Sequence, residues 1–273
     1  YDNSAVGRGA LYYNTTGYDN SAVGSVALNN NTTGNYNSVM GYAALYYNAT
    51  GSNNVAIGSY AGFGVSSNSN ISNSVLLGYE AGKALLTGGS NNILIGYKAG
   101  EALTTGAKNI VIGYDIDAPA VDSANTLNIG NLIYATGLDG SGTTLSTGNV
   151  GIGTTTPYYS LSIQAATSTN PFQIASSTAG GAMLTVLNTG YLGIGTSTPS
   201  FLLTTAGTQY TTGATYFGST LNIAATSTQA TTSITQLLVS GNSILSGGLW
   251  VSGTSTLLGD VSITNNLLVS DDL

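Results

Sequence analysis

Glycine recurs along the first half of this chain at Gly7, Gly24, Gly41, Gly58, Gly78, Gly96, Gly113 and Gly130, at intervals of 17, 17, 17, 20, 18, 17 and 17 residues. Few folds accept such a period. Each repeat is too short to close a core of its own, so successive repeats must stack as layers of a solenoid in which each layer touches only its neighbours. Function is therefore expected along an extended surface rather than in one enclosed pocket.

Alignment on the glycines separates the positions by chemistry. The residue before each glycine is Val6, Val23, Met40, Ile57, Leu77, Ile95, Ile112 and Ile129, an unbroken apolar column. Four residues before it stand Asn3, Asn20, Asn37 and Asn54, then Ser74, Asn92, Asn109 and Thr126; three residues after it come Ala10, Ala27, Ala44, Ala61, Ala81 and Ala99. The segments NNVAIG, NSVLLG, NNILIG and NIVIG read as short buried strands. Glycine then permits a sharp turn, alanine a close neighbouring backbone, and stacked asparagines a hydrogen bond from one layer to the next. Asn3, Asn20, Asn37, Asn54, Asn92 and Asn109 are accordingly expected to form a structural ladder rather than a ligand site.

Composition removes several function classes. Charged residues are 5% of the chain, against about 25% in an ordinary soluble domain. The only basic residues are Arg8, Lys83, Lys98 and Lys108, and the net charge is -7, so the clustered cations needed to hold nucleic acid are missing. No run of about eighteen apolar residues is present to span a membrane as a helix. The first residues already read as repeat, which leads us to expect an internal piece of a longer protein without a signal peptide. With neither Cys nor His in the sequence, the common zinc sites, Cys-His and Ser-His nucleophile pairs and histidine bases are excluded. Asp115, Asp117 and Asp122 form the one acidic cluster, but YDIDAPAVD lacks the twelve-residue loop of a calcium site and reads as a solvated turn where the array ends. We expect no catalytic residue, no metal ligand and no cofactor site, and hence no enzyme.

The pattern changes after residue 130. NVGIGTTTPYYSLSI at 149–163 is repeated by YLGIGTSTPSFLLTT at 191–205, with Pro157 and Pro199 ending the short extended runs. The Gly-Ile-Gly cores lack the further glycine, helix and acid of a dinucleotide fingerprint. From 237 onward Val239, Leu245, Val251, Leu257, Ile263 and Val269 recur every six residues, with Gly241, Gly247, Gly253 and Gly259 two positions behind. Alternation of apolar and polar residues there marks strands with one buried face. Thirty-odd residues make too few coils for a single-chain β-helix, so three chains sharing each layer, in a triple β-helix or β-prism, is the better reading. The same logic applies to the repeats, because one coil orders more chain than its few apolar side chains offset. The expected fold is all-β and homotrimeric: a seventeen-residue-repeat β-roll over 1–130, GIGTxTP-containing β connector modules over 131–236, and a hexad-repeat segment over 237–273.

The motifs NSAVG, NSVLLG and NNVAIG, each followed by alanine, resemble the head repeats of trimeric autotransporter adhesins over about residues 1 to 130. That resemblance implies parallel β-rolls joined around a threefold axis. The GIGTxTP modules resemble segments of phage tail fibres and related bacterial surface fibres. Together they imply an extracellular fibre, at a cell or virion surface, that partners with itself and with a glycan or protein receptor. A bacterial adhesin or appendage is the first reading, a receptor-binding phage tail fibre the second, and a polysaccharide depolymerase of the tailspike kind a third, which would need a carboxylate pair on the solenoid. The candidate contact surface is the pair of tyrosine pairs Tyr12, Tyr13, Tyr46 and Tyr47, rigid faces with polar tips, for which packing between coils or between chains is the competing account. Asn14, Asn31, Asn48 and Asn70 also sit in glycosylation sequons.

Overall fold

A computed structural model describes residues 2–66, 69–165, 169–175 and 182–206. All described residues belong to one compact unit, which spans 1–210. The hexad segment, with Val239, Leu245, Val251, Leu257, Ile263 and Val269, lies outside the described residues.

Each repeat contributes one three-residue strand: β1 (Ser4–Val6), β2 (Ser21–Val23), β3 (Ser38–Met40), β4 (Val55–Ile57), β5 (Val75–Leu77), β6 (Ile93–Ile95), β7 (Ile110–Ile112) and β8 (Leu127–Ile129). Each pairs with the next in parallel and in register, Ala22 with Val39 and Leu94 with Val111, for example. The result is a β-solenoid of about seven turns with no helix among the described residues. The strands are short because the glycine that follows turns the chain. Gly24 adopts φ +135°, and a β-carbon there would come 2.5 Å from the carbonyl oxygen of Gly41, so only glycine fits.

Two further corners recur along the solenoid largely without glycine, and in the first three turns Leu11, Leu28 and Leu45 make a third at φ +48° to +52°, a place taken later by Gly62, Gly82 and Gly100. Val26, Ala43, Tyr60, Glu80, Lys98 and Asp115 form one column in the left-handed region, and Asp19, Tyr36, Asn53, Asn73, Asn91, Lys108 and Asn125 another, all with φ between +52° and +61°. The cost of this conformation is offset by layer-to-layer bonds: the Val26 amide donates to the Arg8 carbonyl at 2.8 Å and the Ala43 amide to the Ser25 carbonyl at 3.0 Å.

The core is one side chain thick. Side chains alternate across a strand, so a three-residue strand places only its middle residue inside. Those residues are Ala22, Val39, Ala56, Leu76, Leu94 and Val111, all buried, and the alanines three beyond each glycine, Ala27, Ala44, Ala61, Ala81 and Ala99, are fully buried beside them. The apolar column that precedes each glycine is therefore not in the core of the chain. It faces outward, with Val6, Met40 and Ile57 at 62, 52 and 44% exposure. Volume inside is conserved by complementary changes. Ala22 shares its turn with Leu28 and Val39 with Leu45, whereas Leu76 shares its turn with Gly82 and Leu94 with Gly100; between them the turn of Ala56 has Gly62, and leucines of the adjoining layers, Leu45 and Leu76, reach over it. A β-carbon on Gly62 would sit 2.5 Å from Leu76 Cδ1, so the larger leucine occupies the place the glycine leaves.

The parallel stack ends at β8. Asn128 takes the inward position there, and its amide donates to Asn131 Oδ1 at 2.9 Å while its Oδ1 accepts from the Asn131 amide at 3.0 Å. This clasp reverses the chain into β9 (Ile133–Ala135), antiparallel to β8, followed by β10 (Val150–Ile152) antiparallel to β9 and β11 (Leu161–Ile163) parallel to β10. A second sheet holds β12 (Phe172–Ala175), β13 (Ala182–Val186), β14 (Leu192–Ile194) and β15 (Leu203–Thr205). The two Gly-Ile-Gly cores fall in β10 and β14, each between an antiparallel and a parallel partner. In both, the glycine lies against the turn ending at Pro157 or Pro199.

Candidate functional site

Of the residues singled out from sequence, the asparagine column points inward. Asn20, Asn37, Asn54, Asn92 and Asn109 are buried and Asn3 half-buried. Nδ2 of Asn20, Asn37 and Asn54 donates to Oδ1 of the asparagine one turn earlier at 3.2, 3.0 and 2.9 Å. The same groups also donate across the coil to the carbonyls of Gly34, Gly51 and Ile71. Ser74 and Thr126 stand in the column with a hydroxyl: the Asn92 amide donates to Ser74 Oγ at 3.2 Å, and Thr126 Oγ1 donates to Asn109 Oδ1 at 2.7 Å. No face of this column is presented to a ligand.

A second asparagine column, at the sequon positions, is also interior. Asn31 and Asn48 are fully buried, and Asn31 Nδ2 donates to Asn14 Oδ1 at 2.7 Å. Asn31 and Asn48 are thus structural amides with no room for a glycan. Their columnar role was visible as the 17-residue spacing of the three sequons, a signal that the sequon pattern itself obscured. Asp115, Asp117 and Asp122 do not converge, and among the described residues no group of three acidic side chains is placed to hold a metal ion.

The tyrosines are on the surface. Tyr12 and Tyr13 are 70 and 54% exposed and meet edge to face at 4.8 Å; Tyr46 and Tyr47 are half-buried and meet at 4.7 Å. Phe63, one turn further, stacks on Tyr46 at 5.5 Å. A second aromatic rail follows the glycine corner, where Tyr42, Tyr60, Tyr79, Tyr97 and Tyr114 run with successive ring centroids 5.2, 6.4, 5.4 and 5.0 Å apart. Sequence reading missed this rail, although the tyrosine directly after Gly41, Gly78, Gly96 and Gly113 was its signal. Burial and the neighbouring Tyr42 push the Tyr60 phenol up, and a hydrogen bond to Glu80 does the same for Tyr79. Beside the rail, the nearly buried Glu80 receives Lys83 Nζ at 2.7 Å with Lys98 Nζ at 3.7 Å, and Lys98 also reaches Glu101 at 3.0 Å. Lys83 chiefly holds the Glu80 carboxyl below the usual glutamate value, and the Glu101 hydrogen bond holds Lys98 well above the usual lysine value.

Clefts open among the rings. One of about 590 Å³ lies between Tyr12 and Tyr13 on one side and Tyr42 and Tyr46 on the other, with Arg8 and Asn29 in its lining. A second of about 410 Å³ is bounded by Tyr13, Asn30, Tyr46 and Tyr47. No family model, curated protein or solved structure matches this chain.

Proposed function

We propose that this chain is a stretch of an extracellular homotrimeric attachment fibre, of the bacterial cell-surface adhesin kind, with no catalytic step of its own. The observation that carries this reading is the outward apolar column. Eight successive turns present Val, Met, Ile or Leu at one register position on the open face of a parallel sheet, a class of sheet ordinarily covered on both faces. From β4 onward the first strand residue, Val55, Val75, Ile93, Ile110 and Leu127, widens the same face. A continuous array of apolar side chains at one register is most simply covered by the same array on two further copies. The connector modules carry the same feature, with Tyr158, Tyr159, Phe201 and Leu202 all strongly exposed.

A receptor-binding phage tail fibre is the second reading, favoured by the two GIGTxTP modules with one local topology. Chemistry on the solenoid is not favoured. Glu101 and Asp117 line one cleft of about 340 Å³, but Glu101 is paired with Lys98 and Asp117 accepts the Ala102 amide at 3.0 Å, which ties both to structure.

Light scattering tests the assembly: the expected particle is three times 27.4 kDa, about 82 kDa, and a monodisperse particle of 27.4 kDa overturns it. Attachment is tested by changing Tyr12, Tyr13, Tyr46 and Tyr47 together to serine. Weakened adhesion with unchanged particle mass and melting supports the reading, and retained adhesion removes these tyrosines as its contact surface.

A further inference from the structure

The two tyrosine pairs are not adjacent turns. At seventeen-residue spacing one column reads Tyr12, Asn29, Tyr46, Phe63 and the next reads Tyr13, Asn30, Tyr47, Gly64. The second turn therefore carries two amides where its neighbours carry two rings, and both clefts described above open at this point, one over Asn29 and one over Asn30. The two clefts adjoin at Tyr13 and Tyr46, which line both, and together they read as one slot with aromatic walls and an amide floor. Its walls are two layers apart, about 9.6 Å at ~4.8 Å per layer. A flat aromatic guest touching both walls needs only about 7 to 8 Å, two carbon contacts of ~3.5–4.0 Å. The slot suits a thicker, puckered ring.

The floor is polar and unfinished. Asn29, buried at the bottom of its cleft, donates Nδ2 to the Gly9 carbonyl at 2.6 Å, and the half-buried Asn30 donates Nδ2 to the Tyr46 carbonyl at 3.1 Å, so each side-chain amide makes one such bond and has further donor and acceptor capacity where it lines the cleft. At one end stands the Arg8 guanidinium, with no carboxylate paired to it among the described residues. It is the only cation in the first 82 residues of a chain with net charge -7, so a polyanion such as nucleic acid is disfavoured and a single carboxylate is suited.

We propose that this slot binds one pyranose ring of an acidic glycan. The tyrosines hold the apolar ring faces, Asn29 and Asn30 bond the hydroxyls, and Arg8 takes the carboxylate. The inference rests on the attachment reading and names the ligand class of that surface.

The test uses the full chain and two probe pairs at low salt: tetragalacturonate with its methyl ester, and sialyllactose with lactose. The expected result is that at least one acid form binds, threefold or more tighter than its neutral partner, and that Arg8→Gln removes the preference. Asn29→Tyr with Asn30→Tyr fills the slot with the residues found one turn away on either side, so the solenoid should persist while binding falls at least tenfold. Should that variant not fold, Tyr13→Ser, on an exposed ring, serves the same purpose. Equal binding of acid and neutral probes, no binding of any probe, or unchanged binding by a folded filled-slot variant overturns the proposal. Adhesion to target cells without affinity for any probe overturns the slot and leaves the attachment reading standing. Probe binding by a monomer that adheres to nothing does the reverse.

Discussion

Replacing Asn37 with alanine isolates what one rung of the buried amide ladder contributes. Its Nδ2 donates to Asn20 Oδ1 and to the Gly51 carbonyl, both at 3.0 Å, and its Oδ1 accepts from the Asn54 amide at 3.1 Å and from Asn54 Nδ2 at 2.9 Å. The losses are unequal. Gly51 keeps a bond from Asn48 Nδ2, Asn20 Oδ1 keeps the Asn37 amide, and Asn54 Nδ2 keeps the Ile71 carbonyl. The Asn54 N–H alone is left buried without an acceptor, at a cost of about 1–3 kcal/mol, and the three other bonds add ~0.5–1.5 kcal/mol each. We expect Asn37→Ala to cost about 4 kcal/mol in all. Serine, which fills this position as Ser74 and there accepts the Asn92 amide, should cost about half as much. Aspartate should be worse than alanine near neutral pH, since it buries a charge facing the Gly51 carbonyl, and should recover in acid. Urea unfolding gives the total, and amide hydrogen exchange at Asn54 reports the local loss. An alanine variant within about 0.5 kcal/mol of the parent, with Asn54 still protected, would refute the assignment of stability to the ladder.

Other expectations are more compact. Gly24→Ala, which combines φ +135° with a β-carbon 2.5 Å from the Gly41 oxygen, should cost ~3 kcal/mol or more by thermal melt, whereas Gly130→Ala, with φ +60° and nothing within 4 Å, should cost ~1 kcal/mol. Leu94→Lys should unfold the central turns, while Ile95→Lys, one residue along on the outer face, should leave circular dichroism intact and change only the particle mass; equal effects would mean the faces are misassigned. Glu80 has a lowered carboxyl value when folded, so its stabilisation is complete above the ordinary glutamate value near ~4.3 and is lost as pH falls through the lower folded value; Glu80→Gln should flatten the melting temperature between pH 5 and 2. Expressed in a glycosylating host, the chain should carry no glycan on Asn31 or Asn48 by mass spectrometry, because both are fully buried.

The stacking of the first half was legible because its cause is local. A glycine that must adopt positive φ, an asparagine that must face its copy and an alanine under a neighbouring backbone each leave one mark per turn. Which way the strand faces was less legible. In AVG, VAIG or LLG every residue is apolar or small, so alternation carries no contrast, and only the packing of Ala22 or Leu94 against the opposite wall decides that Val23 and Ile95 look outward. The candidate surface was half visible. Doubled tyrosines are conspicuous, but the slot between them depends on Asn29 and Asn30, whose importance lies in what they are not. One corner column gave no signal, since Val26, Ala43 and Tyr60 are poor choices for left-handed backbone and are held there by bonds to the preceding layer, whereas the other carries Asp19, Asn53, Asn73, Asn91 and Asn125, residue types that tolerate it.

The long turn between Gly58 and Gly78 has a consequence for how such a gene can change. Before it the second interior column is Asn14, Asn31, Asn48; after it the corresponding places are Leu85 and Leu103. Ile71 joins the two, its amide closing the polar column on Asn48 Oδ1 at 2.9 Å and its side chain opening the apolar one. Slippage during replication that copies a turn within either stretch inserts a layer whose neighbours match it. A turn carried across the junction would set a buried amide against leucine, with nothing to bond. Repeat number is thus free to drift on each side, whereas the twenty-residue turn works as a fixed adapter that can be neither duplicated nor lost without repair of both flanks.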